Sequence, residues 1–313
     1  MKKLSVIIPV YNVEAYVKKS VESVLSQTYK NIEIIIINDG STDRSYEICK
    51  ELEKNHDNIR LYSQENKGLA ETRNIGMELS TGDYIAFLDS DDYVESEMYE
   101  TLIKVIESKD VAFASCLTKP SNLETINSNG TIETLDRTEI IESLRKDNRV
   151  RFEVWNKVFR KDALNHVRFR KRSVYEDIEF MNLLLVKEIK TGHINLPMHN
   201  YTKHRLGNTN SSFKLIKLDA LDRILEFIQN PINNERDIIN LQVIYQEFIF
   251  SLFLQAKKFK SKEAVKKLIK DFDMNYKYFI NNKYTNKVKI RVFRFSSNLY
   301  YQISKLKEKN NIY

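Results

Sequence analysis

The chain has 313 residues, of which 42% are hydrophobic and 30% charged, with only seven Gly and four Pro. This composition is typical of a folded protein and excludes fibrous and linker-rich classes. The net charge of +7 is unevenly placed, because residues 214–313 carry 20 Lys or Arg and 10 Asp or Glu.

We expect a cytoplasmic protein without a membrane-spanning helix. No uninterrupted apolar run reaches the roughly 18 residues that such a helix needs. The short apolar run at residues 4–10 is followed by Tyr11 and Asn12, not by a signal-peptide cleavage site. Cys49 and Cys116 are isolated in sequence, which indicates buried reduced thiols and no metal or disulfide framework.

Two hydrophobic periodicities alternate along the first 115 residues. Continuous apolar runs, typical of strands buried on both faces, occupy residues 4–8, 32–37, 83–88 and 111–114. Between them, apolar residues recur at helical spacing in residues 13–25, 41–52 and 69–79. This alternation predicts an open Rossmann-like α/β sandwich, with a mostly parallel sheet flanked by helices.

The pattern changes twice in the remainder of the chain. Residues 118–135 are rich in Asn, Ser and Thr and predict a loop or irregular hairpin, after which short helices and a strand near 198–203 follow. From residue 214 onward the apolar spacing is helical. We therefore predict a domain at residues 1–213, with halves at 1–115 and 116–213, and a basic α-helical extension at 214–313.

Polar residues follow the predicted strands, at the edge where α/β sheets bind ligands. Asp89 and Asp91 follow one strand and can converge on Mg²⁺ or Mn²⁺, although a solvated acidic loop is the alternative. Asp39 follows another strand and can accept a hydrogen bond from a nucleobase, in a turn that also starts a helix. Arg73, on the first turns of a predicted helix, can hold phosphate or lie at the surface.

Four segments together carry a family resemblance, and they are Pro9-Val10-Tyr11-Asn12, Asn38-Asp39-Gly40-Ser41-Thr42-Asp43, Gly68-Leu69-Ala70-Glu71-Thr72-Arg73-Asn74 and Asp89-Ser90-Asp91-Asp92. In order and spacing they resemble glycosyltransferase family 2, whose members are inverting enzymes of the GT-A fold. The resemblance implies a nucleotide-binding half at 1–115 and an acceptor-binding half at 116–213. It also implies a nucleotide-sugar site formed by Pro9, Tyr11, Asn12, Asp39, Arg73, Asp89 and Ser90. Within that site Asp39 would read uracil, Arg73 would approach the diphosphate and Asp91 would hold the metal.

Two downstream segments also resemble the family. Residues 155–160 imply acceptor contacts from Trp155, Asn156 and Lys157. Asp177 matches the family's general base, with Glu176 as the alternative and otherwise an acceptor contact. Inversion by one in-line displacement requires a base on the acceptor side, opposite the leaving diphosphate. Without the upstream motifs, this acidic pair would be explained as an exposed helix start.

Residues 201–211 resemble the family's last segment, where basic residues cover the diphosphate. Lys203 or Arg205 would contact phosphate, and His204 would be a metal ligand or an inert surface residue. His204 and Asn208 depart from the family pattern, which leaves the individual roles open.

Cations interleave with aromatic residues at 283–309, a pattern that suits an anionic membrane surface or, alternatively, a solvated helical hairpin. No nucleic-acid-binding module is recognisable.

The resemblance implies a hexosyltransferase or N-acetylhexosaminyltransferase that uses a UDP-sugar and Mn²⁺ or Mg²⁺. Its acceptor would be a saccharide or lipid-linked saccharide in bacterial surface polysaccharide synthesis, at the inner face of the cell membrane. A metal-dependent nucleotidyltransferase is one alternative, although it usually carries a Gly-rich loop where Pro9-Val10-Tyr11-Asn12 stands. A non-catalytic nucleotide-sugar-binding protein is the other. The sugar, the linkage and the oligomeric state do not follow from the sequence.

Overall fold

The computed structural model describes residues 1–119, 129–147, 149–171, 174–202 and 213–309, with side chains to residue 306. The chain divides into two compact units, Met1–Arg205 and Leu206–Tyr313. The predicted segment Lys203, His204 and Arg205 lies outside the described residues.

The first unit is a mixed α/β sandwich. Its described strands are β1 (Leu4–Val10), β2 (Ile32–Asp39), β3 (Ile59–Gln64), β4 (Tyr84–Phe87), β5 (Tyr93–Val94), β6 (Phe113–Lys119), β7 (Ile132–Leu135), β8 (Lys157–Arg160) and β9 (Thr191–Asn200). Its helices are α1 (Val17–Leu25), α2 (Ser45–Asn55), α3 (Leu69–Leu79), α4 (Met98–Lys109), α5 (Arg137–Lys146) and α6 (Glu176–Leu185). The predicted α/β sheet flanked by helices is confirmed, but it is not mostly parallel, because four described strand pairs are parallel and four are antiparallel.

The strand order is β3-β2-β1-β4-β8-β6-β9-β5, with β7 paired to β9. Strands β1 to β4 run parallel to their neighbours within that group, whereas β8 is antiparallel to both β4 and β6. The start of β8 therefore lies beside the end of β4, where Ala86 pairs with Val158. This arrangement brings a later part of the chain to the edge at which β1, β2 and β4 end.

The extent to which each strand is buried explains whether its sequence predicts it. Every residue of β1 and β2 is buried, as their continuous apolar runs require, with α1 and α3 packed against β1 and α2 and α3 packed against β2. Strand β3 is an edge strand that reads Ile-Arg-Leu-Tyr-Ser-Gln and is only partly buried, so it carries little apolar signal. Gly76 lets α3 approach β1 closely, because a Cβ there would lie 2.3 Å from Ile7 Cγ2.

The second unit is helical, with α7 (Asp219–Ile228), α8 (Glu235–Lys258), α9 (Lys262–Asn281), α10 (Lys287–Phe295) and α11 (Ser297–Lys309). Its core is aromatic, and Phe293 contacts Phe250, Phe253, Phe272 and Tyr300 with ring centroids 4.6–5.2 Å apart. Among the described helices, α8 alone has the length and composition of a bilayer-crossing helix. However, 61% of its apolar stretch is buried inside the protein, as in a core helix.

Candidate active site

The polar segments after β1 and β2 are tied to each other at the carboxyl edge of the sheet. Asn12, with φ of +50°, accepts a hydrogen bond on its side-chain oxygen from the backbone N–H of Thr42 at 2.8 Å. The backbone N–H of Asn12 donates to Ser41 Oγ at 3.2 Å. Pro9 is buried within β1, whereas Tyr11 is 42% exposed beside this junction. The loop thus presents an aromatic ring at the edge where ligands bind in parallel sheets.

Asp39, at the end of β2, anchors the segment that leads into α3. Its carboxylate accepts hydrogen bonds from the backbone N–H groups of Lys67 and Gly68 at 2.8 and 2.9 Å. The side-chain amide of Gln64 donates a third, at 2.8 Å. A carboxylate accepts about four hydrogen bonds, so the described residues occupy most of the acceptor positions of Asp39. Gly40 follows with φ of +72°, where a Cβ would lie 2.9 Å from the backbone N of Asn66.

Arg73 is the centre of an ion-pair cluster. Its side chain is 1% exposed, and Nη2 donates to Asp89 Oδ1 at 2.8 Å. Nη1 donates to Glu176 Oε1 at 2.9 Å and to Asp177 Oδ1 at 2.7 Å. One guanidinium therefore joins α3, the loop after β4 and the start of α6. We call Arg73, Asp89, Glu176 and Asp177 the arginine cluster.

Burial and charge perturb the ionisation of this cluster. Burial raises the pKa of Asp177 well above its ordinary value, since Arg73 lowers it only partly and Glu176 and Asp89 raise it further. Burial lowers the pKa of Arg73, but the three carboxylates outweigh this and raise it overall, so the guanidinium stays charged. A carboxylate with a raised pKa near a sheet edge is typical of proton transfer in an active site.

A local backbone feature directs the acidic pair into this cluster. Tyr175 precedes α6 and adopts φ of +72°, in the left-handed region that bulky residues rarely occupy. Such a conformation costs on the order of 1–3 kcal/mol and is concentrated at functional sites. Helix α6 begins immediately afterwards with Glu176 and Asp177.

The acidic segment after β4 has the chemistry of a divalent-cation site. Asp89 and Asp91 are partly exposed, whereas Ser90 and Asp92 are buried. Burial, and then the charges of Asp89 and Asp91, raise the pKa of Asp92 to about 8, which indicates the excess of negative charge here. Among the described residues, no group of three His, Cys, Asp or Glu could enclose a metal ion. Mg²⁺ is usually held by one or two carboxylates plus substrate phosphates, and this donor set fits that arrangement.

Sequence reasoning missed a buried cluster beside this acidic segment. Asp92 accepts a hydrogen bond from the backbone N–H of Thr202 at 2.8 Å, and its Oδ2 lies 3.4 Å from His199 Nε2. His199 is fully buried and stacks on Trp155, with ring centroids 4.1 Å apart. Asp92 therefore ties the acidic segment to the end of β9. Asp92, the last of the three acids in Asp89-Ser90-Asp91-Asp92, is the one sequence signal for it.

The three residues expected to contact the acceptor lie beside the end of β4 but differ in exposure. Trp155 is 7% exposed, whereas Asn156 and Lys157 are essentially buried. Asn156 donates its side-chain amide to the backbone oxygen of Cys116 at 2.6 Å. Lys157 donates to Asn156 Oδ1 at 2.9 Å, and burial lowers its pKa to about 8. Asn156 and Lys157 are thus buried beside the end of β4, and Trp155 is the least buried of the three.

Comparison with known proteins identifies the family. The family model described as Glycosyl transferase family 2 matches residues 5–168. The uncharacterized glycosyltransferase YibD of Escherichia coli K12 is 34% identical over 267 residues, which cover 79% of this chain and 75% of YibD. Glycosyltransferase GlyA of Streptococcus pneumoniae serotype 4 is 52% identical over 104 residues, but this chain covers only 15% of its length. The minor teichoic acid biosynthesis protein GgaB of Bacillus subtilis is 29% identical over 66% of this chain and 23% of its own.

Solved structures confirm the GT-A-like fold, and the similarity extends over nearly the whole chain. The crystal structure of Staphylococcus aureus TarS 1–349 with UDP-GlcNAc has a TM-score of 0.69, at 18% identity, over 99% of this chain and 93% of TarS 1–349. The mannosyltransferase PcManGT of Pyrobaculum calidifontis, with GDP-Man and Mn²⁺, has a TM-score of 0.56 at 14% identity, over 98% of this chain and 86% of its own.

Proposed function

Because this chain belongs to glycosyltransferase family 2, we propose that it transfers a sugar from a UDP-sugar to an acceptor hydroxyl, with inversion at the anomeric carbon. The arginine cluster is the observation that carries this proposal. It holds a carboxylate of raised pKa, Asp177, and the donor-side carboxylate Asp89 on one buried guanidinium. A displacement reaction needs both a base and a donor site at fixed separation.

In the proposed reaction, Asp177 accepts the proton of the acceptor hydroxyl while that oxygen attacks the anomeric carbon. The bond from the anomeric carbon to the diphosphate breaks in the same step, and UDP leaves with the bonding electrons. Tyr11, Asn12 and Asp39 line the nucleobase site, while Asp89 and Ser90 face the ribose or the sugar. Asp91, together with His204, would hold Mg²⁺ or Mn²⁺, which when bound neutralises charge on the leaving diphosphate. Lys203 or Arg205 would contribute further positive charge there.

We assign the role of base to Asp177 in preference to Glu176. Both carboxylates bind the same Nη1 of Arg73, at 2.7 and 2.9 Å respectively. Burial and the neighbouring carboxylates raise the pKa of Asp177, which gives a stronger proton acceptor once it is ionised. Glu176 then contributes negative charge to the cluster and an acceptor contact.

The donor and the setting rest on the comparisons. The TarS complexes with UDP-GlcNAc and with UDP support a uridine donor, and UDP-GlcNAc supports an N-acetylhexosaminyl group over a hexosyl group. The similarity to GgaB supports a saccharide or lipid-linked acceptor in bacterial surface polysaccharide synthesis. We propose that the reaction takes place in the cytoplasm, at the inner face of the membrane.

The test is thermal stabilisation by nucleotides, followed by turnover. A ligand present at 100 times its Kd stabilises the folded state by about 2.7 kcal/mol. UDP and one UDP-sugar should raise the Tm in the presence of Mn²⁺, and the same UDP-sugar should release UDP. Asp91→Ala should abolish the Mn²⁺-dependent part of this stabilisation. Stabilisation by GDP and GDP-mannose alone would contradict the uridine donor, and release of pyrophosphate would contradict glycosyl transfer.

A further inference from the structure

The second unit exposes basic and apolar side chains between the end of α9 and α11. Residues 274–306 contain seven Lys or Arg and no Asp or Glu. The same segment exposes large apolar side chains, namely Met274, Tyr278, Tyr284, Val288, Phe295, Leu299, Ile303 and Leu306. Isolated exposed apolar residues are ordinary on a protein surface. Eight of them within a 33-residue segment whose charged residues are all basic indicate an interaction surface.

Each helix has one buried face and one exposed apolar face. In α10, Ile290 and Phe293 are buried, whereas Val288 is 70% exposed and Phe295 87% exposed. Val288 and Phe295 are seven residues apart, which places them on one side of the helix.

In α11, Tyr300 is buried in the aromatic core, and a separate stripe of the helix is solvent-exposed. Leu299, Ile303 and Leu306 form this stripe, at 45%, 38% and 60% exposure. Their spacing of four and then three residues defines one helix face. The apolar side chains therefore point outward in two successive helices, and the core of the unit is already filled by other residues.

Four of the seven cations of this segment show two kinds of environment. Lys289 binds Glu247 at 2.6 Å, and Arg294 stacks over the ring of Tyr276 at 3.7 Å, so both hold the helices together. Lys283 and Arg291 are exposed and have no ion-pair partner in the part of the chain that the structure describes. Their positive charge is directed to solvent beside the exposed apolar residues.

We propose that this surface, defined by Lys283, Arg291, Phe295, Leu299, Ile303 and Leu306, docks the protein on an anionic lipid bilayer. Aromatic and aliphatic side chains enter the boundary between headgroups and acyl chains, while Lys and Arg contact anionic headgroups. A nucleic acid would pair with the cations but leave the aliphatic residues in water. A second copy would bring two cation-only segments together, and this repulsion opposes a symmetric dimer. This assignment does not depend on the proposed reaction.

The experiment measures binding of the full chain to vesicles by co-sedimentation. One set of vesicles contains phosphatidylcholine alone, and the other also contains about one third phosphatidylglycerol. The surface should bind only the anionic vesicles at 0.1 M NaCl and should dissociate at 0.5 M, because salt screens surface charge. Each cation at a membrane surface changes the partition coefficient roughly fivefold, so Lys283→Gln/Arg291→Gln should weaken binding about 25-fold. Phe295→Ser/Leu306→Ser should abolish it.

Matched controls come from the first unit. Ile132 is 44% exposed on β7, and Lys50 and Lys54 are exposed on α2. Ile132→Ser and Lys50→Gln/Lys54→Gln should bind vesicles like the unaltered chain. Circular dichroism melting confirms folding of every variant without reference to enzymatic activity.

Three results would overturn the proposal. The first is equal binding to both vesicle types, and the second is unchanged binding by both surface variants. The third is a dimer in sedimentation velocity that Phe295→Ser/Leu306→Ser dissociates, without vesicle binding by the unaltered chain. That third result would assign the surface to a second copy.

Discussion

Arg73 forms ion pairs with three carboxylates at once, and these ion pairs determine the arrangement of the acidic side chains in the site. The sequence predicts only that Arg73 lies on the first turns of a helix, where the family resemblance brings it towards the diphosphate. Its carboxylate partners are 16, 103 and 104 residues away along the chain, a separation that no local pattern indicates. In the structure the guanidinium donates hydrogen bonds to three carboxylates, so we infer that it positions the catalytic base, Asp177.

Replacement of Arg73 should alter the pH dependence of the reaction. Arg73 lowers the pKa of Asp177, so its removal raises that pKa and moves the acid limb of kcat/KM to higher pH. At a fixed pH below the limb, kcat/KM should fall about tenfold for every pH unit by which the limb moves. Arg73→Met should also destabilise the fold, by less than the roughly 3–5 kcal/mol of a fully buried pair, because three partly buried carboxylates remain close together without their cation.

Arg73→Lys keeps the positive charge but loses the planar, bidentate geometry of the guanidinium. This variant should fold, and it should move the acid limb of the kcat/KM profile by a smaller amount than Arg73→Met. Arg170→Met is the control, since Arg170 is half exposed and lies 3.7 Å from Glu179. An unmoved acid limb in both Arg73→Lys and Arg73→Met would show that Arg73 does not influence the base.

At the scale of elements, buried parallel strands are predictable and polar or short ones are not. Strands β1, β2, β4 and β6 are recognisable because apolar side chains cover both of their faces. Strand β8 has four residues and begins and ends with Lys157 and Arg160, so it lacks a continuous apolar run. It nevertheless brings residues 155–157 to the end of β4. The position of the acidic motifs at strand ends is therefore predictable, whereas the antiparallel neighbour that completes the edge is not.

The elements β1 and β2 are joined at their opposite end by a buried charge, Glu33. Its carboxylate accepts hydrogen bonds from Ser5 Oγ at 2.5 Å, Thr81 N at 2.7 Å and Lys3 Nζ at 2.9 Å. Burial alone would raise its pKa, but these hydrogen bonds outweigh burial and lower the pKa to about 2. Because the folded-state pKa lies below the unfolded value, Glu33 stabilises the fold above about pH 4.5, and this contribution disappears as pH falls towards 2.

Glu33→Gln should therefore lower the free energy of unfolding at pH 7 by about 3 kcal/mol. The difference between the two proteins should shrink between pH 5 and pH 2, as measured by urea denaturation across that range. Glu22→Gln, on the exposed side of α1, should have no such effect. A Glu33→Gln deficit that is constant with pH would contradict the lowered pKa.

At the scale of the whole molecule, the first unit gathers residues from distant parts of the chain at one edge of the sheet. The loops after β1 and β2, the acidic segment and the start of α6 lie at that edge because β1, β2 and β4 are parallel and α6 begins at the same edge. The second unit contributes none of the predicted catalytic residues. Its exposed basic and apolar side chains form the surface for which we propose contact with an anionic bilayer.

The most direct test of the proposed reaction compares isosteric substitutions of the two carboxylates that bind Nη1 of Arg73. These substitutions are Asp177→Asn and Glu176→Gln. Single-turnover sugar transfer should fall by about 10³-fold or more in Asp177→Asn, since general-base catalysis contributes typically 10²–10⁴-fold. The Kd of the donor, measured by calorimetry, should be unchanged in Asp177→Asn. Glu176→Gln should lose much less of its transfer rate. Transfer by Asp177→Asn at the unaltered rate, or a larger loss in Glu176→Gln, would contradict the assignment of Asp177 as the base.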